Sequence, residues 1–168
     1  MANTFELIAS YTATGSVSSI DFTSIPSTYT DLCIVASVRT DAAVVGKTLE
    51  ITFNNSTSNR TSRRLSGSGS AASSSSFTNL YAGVMPGSSA TASTFGNNLI
   101  YIPNYAGATN KSYSADGVSE NNATEAYAQL YAGLWSDTTA ISSIQLFAAT
   151  SGNFVEHSTA YLYGVSNA

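Results

Sequence analysis

The sequence has little with which to do covalent chemistry. Among its 168 residues there is one cysteine, Cys33, and one histidine, His157. A lone cysteine excludes an intrachain disulfide framework, and one residue of each type leaves zinc without its usual ligand set. Charge is scarce as well. Ten acidic and six basic residues make up 10% of the chain, less than half the usual share, for a net charge of −4. That balance argues against a dedicated nucleic-acid binder, which needs a basic surface to neutralise phosphates. No apolar run approaches the roughly 20 residues that span a bilayer. The opening Met1-Ala2-Asn3-Thr4-Phe5-Glu6 lacks the basic start and apolar core of a secretory signal. Hydroxyl groups fill the space left over: 29 Ser and 20 Thr.

Enough apolar material remains for a core. Leu, Ile, Val and Phe number 10, 9, 9 and 7, and ten tyrosines and a tryptophan add to the area that can be buried. Low net charge also separates the chain from disordered sequences. Val, Ile, Thr, Phe, Tyr and Trp together make up 56 residues, and these types suit a pleated, half-buried surface. Glu, Lys and Gln, the staple residues of exposed helices, total nine. The apolar period is 2: Leu32, Ile34, Ala36 and Val38 fall on one face, as do Leu49, Ile51 and Phe53, Ile144, Leu146 and Ala148, and Tyr161, Tyr163 and Val165.

This pattern predicts eleven strands, near residues 3–11, 16–23, 31–40, 47–54, 61–66, 77–85, 97–103, 111–118, 125–135, 141–149 and 153–165. Turn signals such as Asn54-Asn55, Pro86-Gly87 and Asp116-Gly117 separate them. The fold class is all-β, a single antiparallel β-sandwich domain over 1–168, jelly-roll-like. Residues 66–76, Ser-Gly-Ser-Gly-Ser-Ala-Ala-Ser-Ser-Ser-Ser, read as a flexible Ser/Gly loop. Leu80-Tyr81-Ala82-Gly83-Val84 recurs as Leu130-Tyr131-Ala132-Gly133-Leu134, two core strands expected to be neighbours in one sheet.

The candidate sites are few. His157 would have to be the base of any Ser-His-Asp triad, but no Gly-x-Ser-x-Gly elbow accompanies it. Asp116, Glu120, Asn121 and Asn122 offer oxygen ligands to calcium, although their spacing fits no EF-hand loop and Asp116-Gly117 is more simply a turn. Tyr101, Tyr105, Tyr127, Tyr131 and Trp135 could stack on sugar rings, but such residues in an all-β chain belong mostly to the core. The strongest charge feature is Arg60-Thr61-Ser62-Arg63-Arg64, with Lys47 on a possible neighbouring strand. Its simpler reading is an edge strand whose charges block edge-to-edge pairing. Its functional reading is a docking patch formed by Arg60, Arg63 and Arg64 for an acidic partner. No catalytic, metal or cofactor-binding residue emerges.

Several segments resemble small virion structural proteins of tailed bacteriophages, a group common in aquatic and cyanobacterial phages. They are Ile20-Asp21-Phe22-Thr23-Ser24-Ile25-Pro26 with Tyr29-Thr30-Asp31-Leu32, Thr52-Phe53-Asn54-Asn55-Ser56-Thr57 before Arg63-Arg64-Leu65, and Ala92-Ser93-Thr94-Phe95-Gly96-Asn97. Ile100-Tyr101-Ile102-Pro103-Asn104-Tyr105 and Ala160-Tyr161-Leu162-Tyr163-Gly164-Val165 complete the likeness. It spans nearly the whole chain and carries no functional residue with it.

The resemblance implies a non-enzymatic head decoration (cement) protein without a cofactor. Such a protein is assembled in the host cytoplasm and sits on the virion head surface, bound to the major capsid protein. A homo-oligomer is expected, a trimer first, because capsid lattices repeat local three-fold sites. The alternative is a receptor-binding or adhesin module of a tail fibre or baseplate that recognises host surface glycans. An adhesin usually carries an N-terminal shaft, whereas the first predicted strand begins close to Met1, so the capsid reading takes precedence. Neither reading involves nucleic acid or membrane.

Overall fold

The computed structural model describes residues 4–122 and 125–166. It is all-β, with twelve antiparallel strands: β1 Phe5–Thr12, β2 Ser19–Phe22, β3 Asp31–Val38, β4 Gly46–Phe53, β5 Arg60–Gly67 and β6 Ala72–Phe77 form the first half. β7 Tyr81–Pro86, β8 Gly96–Ile102, β9 Lys111–Ser119, β10 Tyr127–Trp135, β11 Ile144–Ala148 and β12 Thr159–Val165 form the second. Eight strands make a wide sheet in the order β1-β12-β3-β8-β9-β10-β5-β6, and four make a narrow one, β2-β11-β4-β7.

The period of 2 decides which side chains meet between the sheets. Leu32, Ile34, Ile100 and Leu162 from the wide sheet and Ile20, Ile51, Phe53 and Leu146 from the narrow one are all essentially fully buried. Each such side chain contributes roughly 1.5–3 kcal/mol by leaving water. Phe53 packs edge-on against Tyr113 at 5.9 Å and tilted against Trp135 at 6.0 Å, joining β4 to β9 and β10. After β4 the chain reverses through Asn54-Asn55, both at positive φ (51° and 56°), with Ser56 N donating to Phe53 O at 2.9 Å. Asparagine tolerates this left-handed conformation better than most residues. Asn54 Oδ1 then accepts from Ser142 N and Ser143 N, at 2.9 and 3.1 Å, which ties the turn to the residues just before β11.

Four sequence readings need correction. Residues 66–76 are not one flexible loop: Ser66 and Gly67 end β5, and Ala72–Phe77 is a strand paired along β5, with Leu65 opposite Ser74. Serine carries no strand signal of its own, and pairing with an existing strand supplied what propensity did not.

Asp116-Gly117 is not a turn but the middle of β9. There Gly117 faces the narrow sheet so closely that a Cβ would stand 2.6 Å from Asn98 Oδ1 and 2.9 Å from Gly83 Cα. The two Leu-Tyr-Ala-Gly segments are not neighbours in one sheet. They lie in β7 and β10, in opposite sheets facing each other, and Tyr131 Oη donates to Gly83 O at 3.2 Å. Finally, the segment 153–165 is divided. Phe154 makes isolated bridges to Val17 and Thr40, His157 turns the chain at φ 73°, and β12 starts at Thr159.

Candidate functional site

The three arginines do not form one patch, because β5 alternates its faces. Arg60 is drawn into the interior, where its Nη1 pairs with Glu50 Oε1 at 3.2 Å. Its Nη2 donates to Asn79 Oδ1 at 3.4 Å, while Asn79 Nδ2 donates to Glu50 Oε2 at 3.3 Å. Arg64 lies with its Cζ 5.3 Å from the centre of the Phe77 ring, a cation–π contact. It lines a polar cleft of about 210 Å³ with Thr48, Ser66, Ser73, Tyr127 and Gln129. Only Arg63 is exposed on the outer face. Lys47, on β4 in the other sheet, lines the same cleft as Arg64, and its Nζ donates to Thr150 Oγ1 at 3.0 Å. The edge-protection reading is also overturned: β5 is flanked by β10 and β6, and β6 is the edge.

The buried Glu50–Arg60 pair has a measurable consequence. Burial raises the Glu50 pKa above its usual 4.5, against the lowering effects of Arg60 and Asn79. Between that value and the raised one, the folded protein therefore holds a proton that the unfolded chain has released. The Glu50 contribution to stability falls as pH rises from about 4.5 through the raised folded value, and its loss is complete above it. In thermal melts, wild type should lose Tm relative to Glu50→Gln as pH climbs from about 4 to about 7. A difference that stays flat or grows would mean that Arg60, not burial, dominates.

The other candidates do not converge. Asp116 is exposed on β9, while Glu120 Oε1 accepts from Asn121 N and Asn122 N at 3.1 and 2.8 Å. Among the described residues, no group of three or more His, Cys, Asp or Glu is placed to hold a metal ion. His157 is an exposed turn residue whose backbone N donates to Ala13 O. Of the five aromatic candidates, Tyr105, Tyr131 and Trp135 are buried in the core. Burial pushes the Tyr131 pKa up to about 12, with Arg64 opposing it. The hydrogen bond from Tyr101 to Asp31 likewise pushes Tyr101 up to about 12. Tyr127 rests on Gly46, where a Cβ would stand 2.7 Å from its ring, and its Oη donates to Glu125.

Across the outer face of the wide sheet runs a row of mostly apolar side chains. Strand register lines up Tyr161, Val35, Leu99, Asp116, Leu130 and Leu65 in one transverse row across β12, β3, β8, β9, β10 and β5. Leu130 is 58% exposed and Leu65 54%, and Leu99 and Val118 are also exposed. A groove of about 450 Å³ runs beside this row, lined chiefly by Leu65, Ala72, Val118, Ala128 and Leu130. Isolated exposed leucines are ordinary, but apolar side chains aligned on both sides of Asp116, with an apolar groove beside them, mark a contact surface. The signal was present in Leu130-Tyr131-Ala132-Gly133-Leu134-Trp135. That run is apolar on both parities, as a strand covered on both faces should be. Without the register, however, the stripe could not be assembled from separate strands.

No protein-family model, curated protein or solved structure matches the chain.

Proposed function

We propose that the chain is a bacteriophage virion structural protein, a capsid decoration (cement) protein that works by contact and not by catalysis. The observation that carries this reading is the apolar row across the outer face of the wide sheet. Together with the sequence resemblance, it supports a partner that covers an antiparallel sheet surface, and the major capsid protein is that partner. A protein that binds the expanded shell better than its precursor stabilises it by mass action and needs no reactive group. Asp116, in the middle of the row, adds specificity, because a charge covered by a partner must meet a cation there. Arg63, exposed beside Leu65, extends the same face. The glycan-binding alternative has less support, since three of its five aromatic candidates are buried in the core.

The test is addition of the purified chain to expanded heads that lack it. Saturable attachment, with a fixed number of copies per shell and a raised temperature of head disruption, is the expected result. No attachment at micromolar concentration would contradict the proposal.

A further inference from the structure

A sheet edge displays unpaired backbone N–H and C=O groups, and proteins that stay single block such edges. This sandwich has four edges, and three of them are blocked. β1 has a register shift between Leu7 and Ala9 and carries Glu6. β2 is only four residues long and carries Asp21. β7 is capped from the wide sheet: Tyr113 Oη donates to Tyr81 O at 2.7 Å, Tyr131 Oη to Gly83 O at 3.2 Å, and Val84 N donates to Asn98 Oδ1 at 2.8 Å.

β6 has none of these devices. Ala72-Ser73-Ser74-Ser75-Ser76-Phe77 contains no charge and no proline, and it pairs with β5 without a register shift. No side chain among the described residues bonds to its backbone. We infer that the free edge of β6 pairs antiparallel with β6 of a second copy about a two-fold axis, joining two wide sheets into one.

Two observations select a second copy as the occupant. First, antiparallel self-pairing sets serine opposite serine near the axis and brings no like charges together, as a two-fold contact requires. Second, the apolar groove reaches the edge through Leu65 and Ala72, so pairing continues it across the axis into its own copy. Six-residue strands alone bury less than a standard interface, so the free dimer is weak and gains from repeated display on a lattice. This two-fold stoichiometry differs from the three-fold expectation, and the inference does not depend on the capsid reading.

Sedimentation velocity of the full chain, from about 1 to about 300 µM, tests it, a range suited to interfaces at the weak end. The expected result is a reversible equilibrium between the 17.4 kDa chain and its dimer. Ser74→Lys, which sets two ammonium groups beside the axis, should raise the dissociation constant at least about tenfold. Ser74→Thr should leave the dimer intact, and both variants should keep the wild-type far-UV spectrum. A wild type that stays monomeric, a trimer, or a dimer indifferent to Ser74→Lys would overturn the inference. If Ser74→Lys does not fold, hydrogen exchange on wild type decides. Protection of the β6 amides must rise with protein concentration, and protection independent of concentration would overturn the inference.

Discussion

Replacing Leu65 and Leu130 together with aspartate should abolish attachment to the expanded head while leaving the chain folded. The two residues are direct cross-strand partners on β5 and β10, and both are more than half exposed on the outer face. Polar replacements there remove nothing from the core, but the two new carboxylates face each other and the one at position 130 also faces Asp116, so the Tm of the free chain should fall by about a few °C while the fold persists. In the complex the effect is larger, because each covered, unpaired carboxylate costs several kcal/mol. A loss of affinity of about 100-fold or more is therefore expected, the scale of a hot-spot pair. Ser151→Asp, at an exposed turn after β11, adds charge away from this face and should bind as wild type does. Equal attachment by wild type and the double variant would remove the outer face from the proposal.

The largest effect on folding should come from Gly83→Ala. A Cβ at this position would overlap Asn98 Oδ1 and Cγ, in the narrow gap between the two sheets. Asn98 is fully buried and accepts the Val84 N–H, so its displacement strands a buried donor as well as crowding the core. Overpacking costs about 1–3 kcal/mol and the stranded donor about 1–3 more. Against a total stability of about 5–15 kcal/mol, Tm should fall by about 5 °C or more. Asn98→Ala in the same chain opens the space, so the double variant should be less destabilised than the sum of the two singles. Strict additivity would show that the contact is not what fixes glycine at this position.

These two sites differ in how far the sequence could reveal them. Alternation in segments such as Leu32 to Val38 made the strands legible, because period 2 is local and each burial follows from parity. Asp116-Gly117 misled because a dipeptide common in turns also serves where a strand passes close to another backbone. Only the opposing Gly83 and Asn98 distinguish the two cases. β6 was hidden for a related reason: Ser73 to Ser76 have no apolar alternation, and their conformation comes from β5. The arginine cluster was visible as a charge feature, but its division between a buried pair, a ring contact and an exposed residue follows from the pleat and from Glu50, ten residues before Arg60. The outer apolar row was least legible of all. Leu65, Leu99 and Leu130 are far apart along the chain, and non-local strand order alone brings them into line.

The central claim, a shell component that acts by contact, is tested most directly by copy number in purified virions, measured by quantitative mass spectrometry against the major capsid protein. Decoration of a symmetric lattice predicts a ratio within about a few-fold of one. A ratio near about one per hundred, the stoichiometry of a tail element on a single symmetry axis, or absence from the virion would contradict it.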